Sequence, residues 1–184
     1  MRWLALYARS RRLPASFAAL VVCTVAVRVL AGSDWSVLFA ALTLGAAVAV
    51  AATGLSGQDI DLDRTAAFGW SPRRLVHLAT VGVLAVGVLL LVQADVVPTA
   101  VILRDGLGLT GLAGLAATLF GGQFGWTFPL LWLVVGLFPP RTPEAAAHII
   151  AWPLQPADIS VTWWLAAALF AVGVATYSAV GARR

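Results

Sequence analysis

Gln58-Asp59-Ile60-Asp61-Leu62-Asp63-Arg64-Thr65-Ala66-Ala67-Phe68-Gly69-Trp70-Ser71-Pro72-Arg73-Arg74 separates two long apolar stretches. It holds six of the chain's twenty charged groups. Before it, Trp35 to Gln58 carries no charge, and after it Leu75 to Ala94 carries only the titratable His77. A charged island between two uncharged runs of about 20 residues is the pattern of helices that cross a bilayer, joined outside it.

Composition agrees. Of 184 residues, 61% are hydrophobic and 11% charged, against about 25% charged in soluble domains. One soluble core of this length cannot hide so much apolar surface. All twelve basic residues are arginine, a bias that points to a GC-rich, bacterial genome. The net charge of +4 comes from arginines clustered at the ends of apolar runs, where they meet lipid headgroups. It therefore does not imply nucleic acid. A single cysteine, Cys23, excludes a disulfide framework and a cysteine-based metal site.

Working outward, the first span is expected from about Leu13 to Ala31, with Pro14 in its first turn. The second runs from about Trp35 to Leu55, joined to the first by a tight turn at Gly32-Ser33-Asp34. The third runs from about Leu75 to Gln93. Between Asp105 and Arg141 lie 35 uncharged residues, too many for one span of about 20 and slightly few for two. Phe120-Gly121-Gly122-Gln123-Phe124-Gly125-Trp126 marks the break. A fourth span is expected from about Pro98 to Leu119 and a fifth from about Gly125 to Phe138. Residues 139–160 hold five prolines around a short helix at Glu144 to Trp152. A sixth span runs from about Val161 to Val180. Residues 2–12 pair Trp3 and Tyr7 with four arginines, as an interfacial helix does or a basic tail. A cleaved signal peptide is disfavoured, because Arg28 interrupts the apolar run and no clear small-x-small cleavage site follows.

The expectation is an all-α polytopic membrane protein, one transmembrane domain over 1–184, with six transmembrane helices and an interfacial N-terminal helix. With both termini cytoplasmic, nine arginines lie inside and two outside, which satisfies the positive-inside bias. Residues 56–74 are then cytoplasmic and 139–160 extracellular, in a cell membrane.

Soluble-enzyme chemistry finds few footholds. Without lysine there is no P-loop and no Schiff base. No His-Glu-x-x-His pattern is present, and His77 and His148 are expected on opposite sides of the membrane. Gly106-x-Gly108-x-x-Gly111 matches a dinucleotide fingerprint, but it lies in an apolar segment without the acid about 20 residues on. These glycines, with Gly114, read as helix-packing positions. Small-residue stripes at Gly45, Ala49 and Thr53, and at Ala167, Ala171, Ala175 and Ala179, suit close helix approach. No catalytic or metal-ligating set emerges.

Four polar residues stand out in the spans. Arg28 is a pathway candidate or a snorkelling side chain reaching the turn near Asp34. Arg104 and Asp105 form an outer-interface pair or part of a pathway. His77 is expected to face the inner interface. Trp126, Trp132, Trp152, Trp163 and Trp164 are expected as interfacial anchors.

The charged loop has a helical logic of its own. Acids at Asp59, Asp61 and Asp63 suit a first helical turn, Phe68 supplies an apolar knob, Gly69 ends the helix and Pro72 bars its extension. The alternative is a plain solvated loop.

Six spans, an interfacial N-terminal segment and the stretch Asp61-Leu-Asp-Arg-Thr-Ala-Ala-Phe-Gly-Trp-Ser-Pro-Arg-Arg74 resemble the type-2 family of ABC export permeases, in its actinobacterial form. Asp63 stands where that family often has Glu. The proline-broken segment before the last span also resembles the family's outer hairpin. The resemblance implies a separate cytoplasmic ATP-binding subunit that carries ATP and Mg, with no cofactor in this chain. It also implies a second transmembrane subunit, identical or related. Asp59, Asp61, Asp63, Arg64, Thr65, Phe68, Arg73 and Arg74 would then form the ATPase-docking surface. Two other readings stand beside the exporter: an assembly or anchoring subunit of a larger membrane complex, and an ATP-independent secondary carrier.

Overall fold

The computed structural model describes residues 13–32, 36–52, 71–93, 97–138 and 144–183. Every described element is helical. Helix α1 covers Leu13–Ala31, α2 Val37–Ala52, α3 Ser71–Gln93, α4 Thr99–Phe120, α5 Thr127–Leu137, α6 Glu144–Ile150 and α7 Ser160–Val180. Short 3-10 turns lie at Gly122–Phe124 and Trp152–Leu154.

Three helices are long and apolar enough to cross a membrane: Ser71–Val92, Thr99–Phe120 and Ser160–Val180. A 22-residue helix is about 33 Å long at about 1.5 Å per residue, against a hydrocarbon core of about 30 Å. The other apolar helices, Val21–Ala31, Val37–Ala52 and Gly122–Leu137, are shorter.

Helix α4 is the axis of the bundle and packs against α2, α3, α5 and α7. In its apolar window 78% of residues are buried, against 33% for α3 and 22% for α7. Glycine makes this crowding possible. A Cβ at Gly111 or Gly173 would strike the backbone of the facing helix, and one at Gly114 would meet the carbonyl of Gly173. Gly106 admits Val86 of α3, and Gly108 admits the ring of Trp152. All four α4 glycines are thus packing positions, as their apolar setting implied.

Helix ends follow local chemistry. Gly121 stops α4 at φ 106° and Gly181 stops α7 at φ 82°, conformations that L side chains seldom adopt. Pro98 precedes α4, which begins at Thr99. Helix α3 begins four residues before the expected Leu75, and Pro72 lies in its first turn, where a missing N–H costs nothing. Pro72 therefore sits where a helix opens, and the loop helix it was expected to stop lies outside the described residues. The hydroxyls of Thr43, Thr80, Thr118 and Thr176 donate to the carbonyl four residues back, which satisfies them inside their own apolar helices.

Of the two expected packing faces, one needs correction. Ala167, Ala171, Ala175 and Ala179 are exposed; the buried face of α7 runs through Thr162, Ala166, Gly173 and Tyr177. Closer approach at Gly173, which has no side chain, decided between the two faces. Gly45 and Ala49 of α2 are buried, with Gly45 against Leu133, while Thr53 lies outside the described residues.

Candidate functional site

The expected docking residues Asp59, Asp61, Asp63, Arg64, Thr65 and Phe68 lie outside the described residues. Arg73 and Arg74 are described, and both stand in the first turn of α3, which holds no acid. Arg73 is exposed and Arg74 half-buried. The Arg74 guanidinium lies against the backbone of Gly181, so that a Cβ there would sit 2.7 Å from its Cζ. At the same end, the Arg183 N–H donates to the Ala117 carbonyl at 3.0 Å, and Arg183 Nη1 donates to the Leu119 carbonyl at 3.3 Å. The start of α3 and the ends of α4 and α7 thus converge on an arginine-rich corner.

The opposite end holds a buried polar cluster. Arg104 is fully buried and Asp105 nearly so, paired through Nε and Oδ1 at 2.9 Å. Arg104 Nη1 also donates to the Pro156 carbonyl and to Thr162 Oγ1, both at 3.0 Å, and Nη2 donates to the Gln155 carbonyl at 2.9 Å. Thr162 in turn donates to the Ile159 carbonyl. The guanidinium also stands 5.9 Å from the ring centre of Trp152. One side chain of α4 therefore ties down the irregular backbone between Trp152 and the start of α7.

The physical reason is backbone accounting. Residues 155–159 are not helical, so their carbonyls have no ladder to join. Arg104 sits about 8 Å along α4, and Trp152 reaches Gly108, deeper still. Irregular backbone at such depth persists only when protein groups satisfy it. Arginine suits this role because its planar fork donates in several directions at once. The expected outer-interface pair is thus an intramolecular hub.

Arg28 makes a local contact: Nη1 donates to the Gly32 carbonyl at 2.8 Å, just beyond the end of α1. That is the direction in which a snorkelling side chain was expected to reach. His77 is buried, not turned to the interface. Trp152 is the largest fully buried side chain, not an anchor; its partner Gly108 was visible in the sequence, but no local pattern linked positions 44 residues apart. Trp126 and Trp164 are exposed. Trp132 Nε1 donates to the Ile150 carbonyl and Trp163 Nε1 to the Ala157 carbonyl, so both indoles brace the 150–157 segment.

A cavity of about 420 Å³ opens between α4, α5, α6 and α7, lined by Leu112, Leu115, Phe128, Leu131, Trp132 and Leu169 among others. Its walls are hydrocarbon apart from the indole, whose N–H is already bonded. Among the described residues no three His, Cys, Asp or Glu side chains gather as a metal site would. Comparison with family models, curated proteins and solved structures finds no match to this chain.

Proposed function

We propose that the chain is the transmembrane subunit of an ATP-driven exporter, with six membrane crossings, both termini cytoplasmic, and a separate ATPase bound at residues 56–74. The observation that carries this reading is the segregation of charge along the bundle. Arg73, Arg74 and Arg183 gather at one end, while α3 and α7 show mostly apolar, exposed faces between the ends. A basic end marks the cytoplasmic side of a membrane bundle. The acids Asp59, Asp61 and Asp63 precede Arg73 and Arg74 in the sequence, and an ATPase surface of opposite charge would take them. The exposed apolar faces of α3 and α7 suit lipid or a second transmembrane subunit.

Co-purification tests the assignment. Charge reversal at Asp61 and Asp63 should release a soluble ATPase that the parent chain retains. An ATPase that stays bound to the reversed chain would remove residues 56–74 from the docking role.

One observation favours a second reading, an assembly or anchoring subunit. Arg104, the polar group buried deepest in α4, spends four hydrogen bonds on its own chain, and α4 is packed on several sides. A bundle built around its own axis leaves the pathway to a partner chain. Deletion that weakens a partner complex without stopping its transport would establish that role.

A further inference from the structure

The geometry points to a binding site for the phosphate headgroup of an anionic phospholipid, formed by Arg74 and Arg183 where α3 begins and α4 and α7 end. This rests on the reading of the chain as a membrane protein and not on the ATPase, and it assigns Arg74 to lipid, leaving the docking role to the acidic part of residues 56–74.

Three independent features favour an anion there. First, Arg74 is half-buried against Gly181, and among the described residues its guanidinium has no hydrogen-bond or ion-pair partner. Half-buried and held against backbone, the guanidinium keeps donors open at the surface, where an anion can accept from them. Second, Arg73 and Arg74 occupy the first turn of a 23-residue helix that has no acid in that turn. Cations sit at the unfavourable, positive end of the helix dipole. An anion at this corner is attracted by both the arginines and the helix terminus. Third, Arg183 reaches the same corner from α7, fixed by its backbone bond to Ala117 and its side-chain bond to Leu119.

What surrounds the corner selects a lipid over an acidic protein. Immediately along the helices the exposed side chains are apolar: Leu75 44%, Val76 60%, Leu119 47% and Val180 70% exposed. A phosphate on Arg74 and Arg183 would place acyl chains along these residues. Charge at the end of a bundle with hydrocarbon directly above it complements a phospholipid over its whole length, and basic pockets between membrane helices are known to take such headgroups. An acidic protein surface would match the arginines and leave the apolar band uncovered.

The test uses the full chain in vesicles of phosphatidylcholine, with and without phosphatidylglycerol. Phosphatidylglycerol retained per chain is counted by native mass spectrometry, and flotation reports membrane association. The parent should retain phosphatidylglycerol in preference to phosphatidylcholine. Arg74→Gln should weaken that retention about fivefold, and Arg74→Gln with Arg183→Gln roughly 25-fold, from about 1 kcal/mol for each arginine. Arg28→Gln, at the other end, should leave it unchanged. Equal retention by the double variant and the parent would overturn the site. So would retention that appears only after Asp59→Asn, Asp61→Asn and Asp63→Asn together, since the chain's own acids would then fill the corner. A parent that floats with both vesicles but shows no preference refutes this site alone. A parent that floats with neither refutes the membrane reading and this site with it.

Discussion

At the scale of single residues, Arg104 shows why a buried charge can be structural. It is fully buried beside a nearly buried Asp105, and its remaining hydrogen bonds go to Gln155, Pro156 and Thr162. Removing one partner of a buried ion pair strands the other, at a cost of about 3–5 kcal/mol. Arg104→Ala should therefore destabilise the bundle by that order, read as a lowered unfolding midpoint in detergent. Replacing Arg104 by Met and Asp105 by Leu together removes both charges and should recover part of the loss. Recovery stays partial because the Gln155 and Pro156 carbonyls lose their donor. Arg104→Lys should behave more like Ala than like the parent, since an ammonium cannot reproduce the fork. Full stability in Arg104→Ala would show that the 152–159 segment does not depend on this hub.

Among the elements, the crossing of α4 and α7 depends on glycine. A Cβ at Gly111 would meet the backbone of Leu169 and Phe170, and one at Gly173 would meet the backbone of Gly111. Backbone cannot rotate away as a side chain can. Gly111→Ala and Gly173→Ala should each cost about 1–3 kcal/mol through overpacking. Gly87, by contrast, has nothing within 4 Å of an added Cβ. Gly87→Ala should be neutral or stabilising by up to about 1 kcal/mol, since alanine is the better helix former. Thermal unfolding of the three variants separates the cases; equal effects would mean that α4 and α7 do not cross at Gly111 and Gly173. Much of this geometry was legible in the sequence. The ends of α1 and the approximate limits of α4 and α7 follow from where apolar runs meet proline, glycine and arginine. The glycines of α4 announced packing, because a membrane helix gains little else from them. Which face of α7 they would meet was not legible: the alanine stripe is regular, but a glycine permits closer approach than any alanine. Nor was the Arg104 hub, because its carbonyl partners lie more than 50 residues away and backbone acceptors leave no mark in sequence.

For the whole molecule, the two ends of the bundle differ in kind, and that difference predicts its topology. Ser71, Gln123 and Arg183 belong to the end where α3 starts and α4 and α7 stop, and all three are exposed. Asp158, also exposed, belongs to the end held by Arg104. Helix α4, about 33 Å long, separates them by roughly the thickness of a hydrocarbon core. In the proposed topology the arginine corner faces the cytoplasm, as the positive-inside bias requires. In a Cys23→Ser background, a membrane-impermeant maleimide on intact cells should label Asp158→Cys. Ser71→Cys and Gln123→Cys should react only after the membrane is permeabilised. The exposed positions keep these substitutions from disturbing packing, so loss of labelling reports access and not unfolding. Labelling of all three from outside would mean that α4 does not cross the bilayer. The reverse pattern would keep the crossing but place the Arg104 hub in the cytoplasm. Residues 56–74 would then lie outside the cell, where no ATPase could reach them.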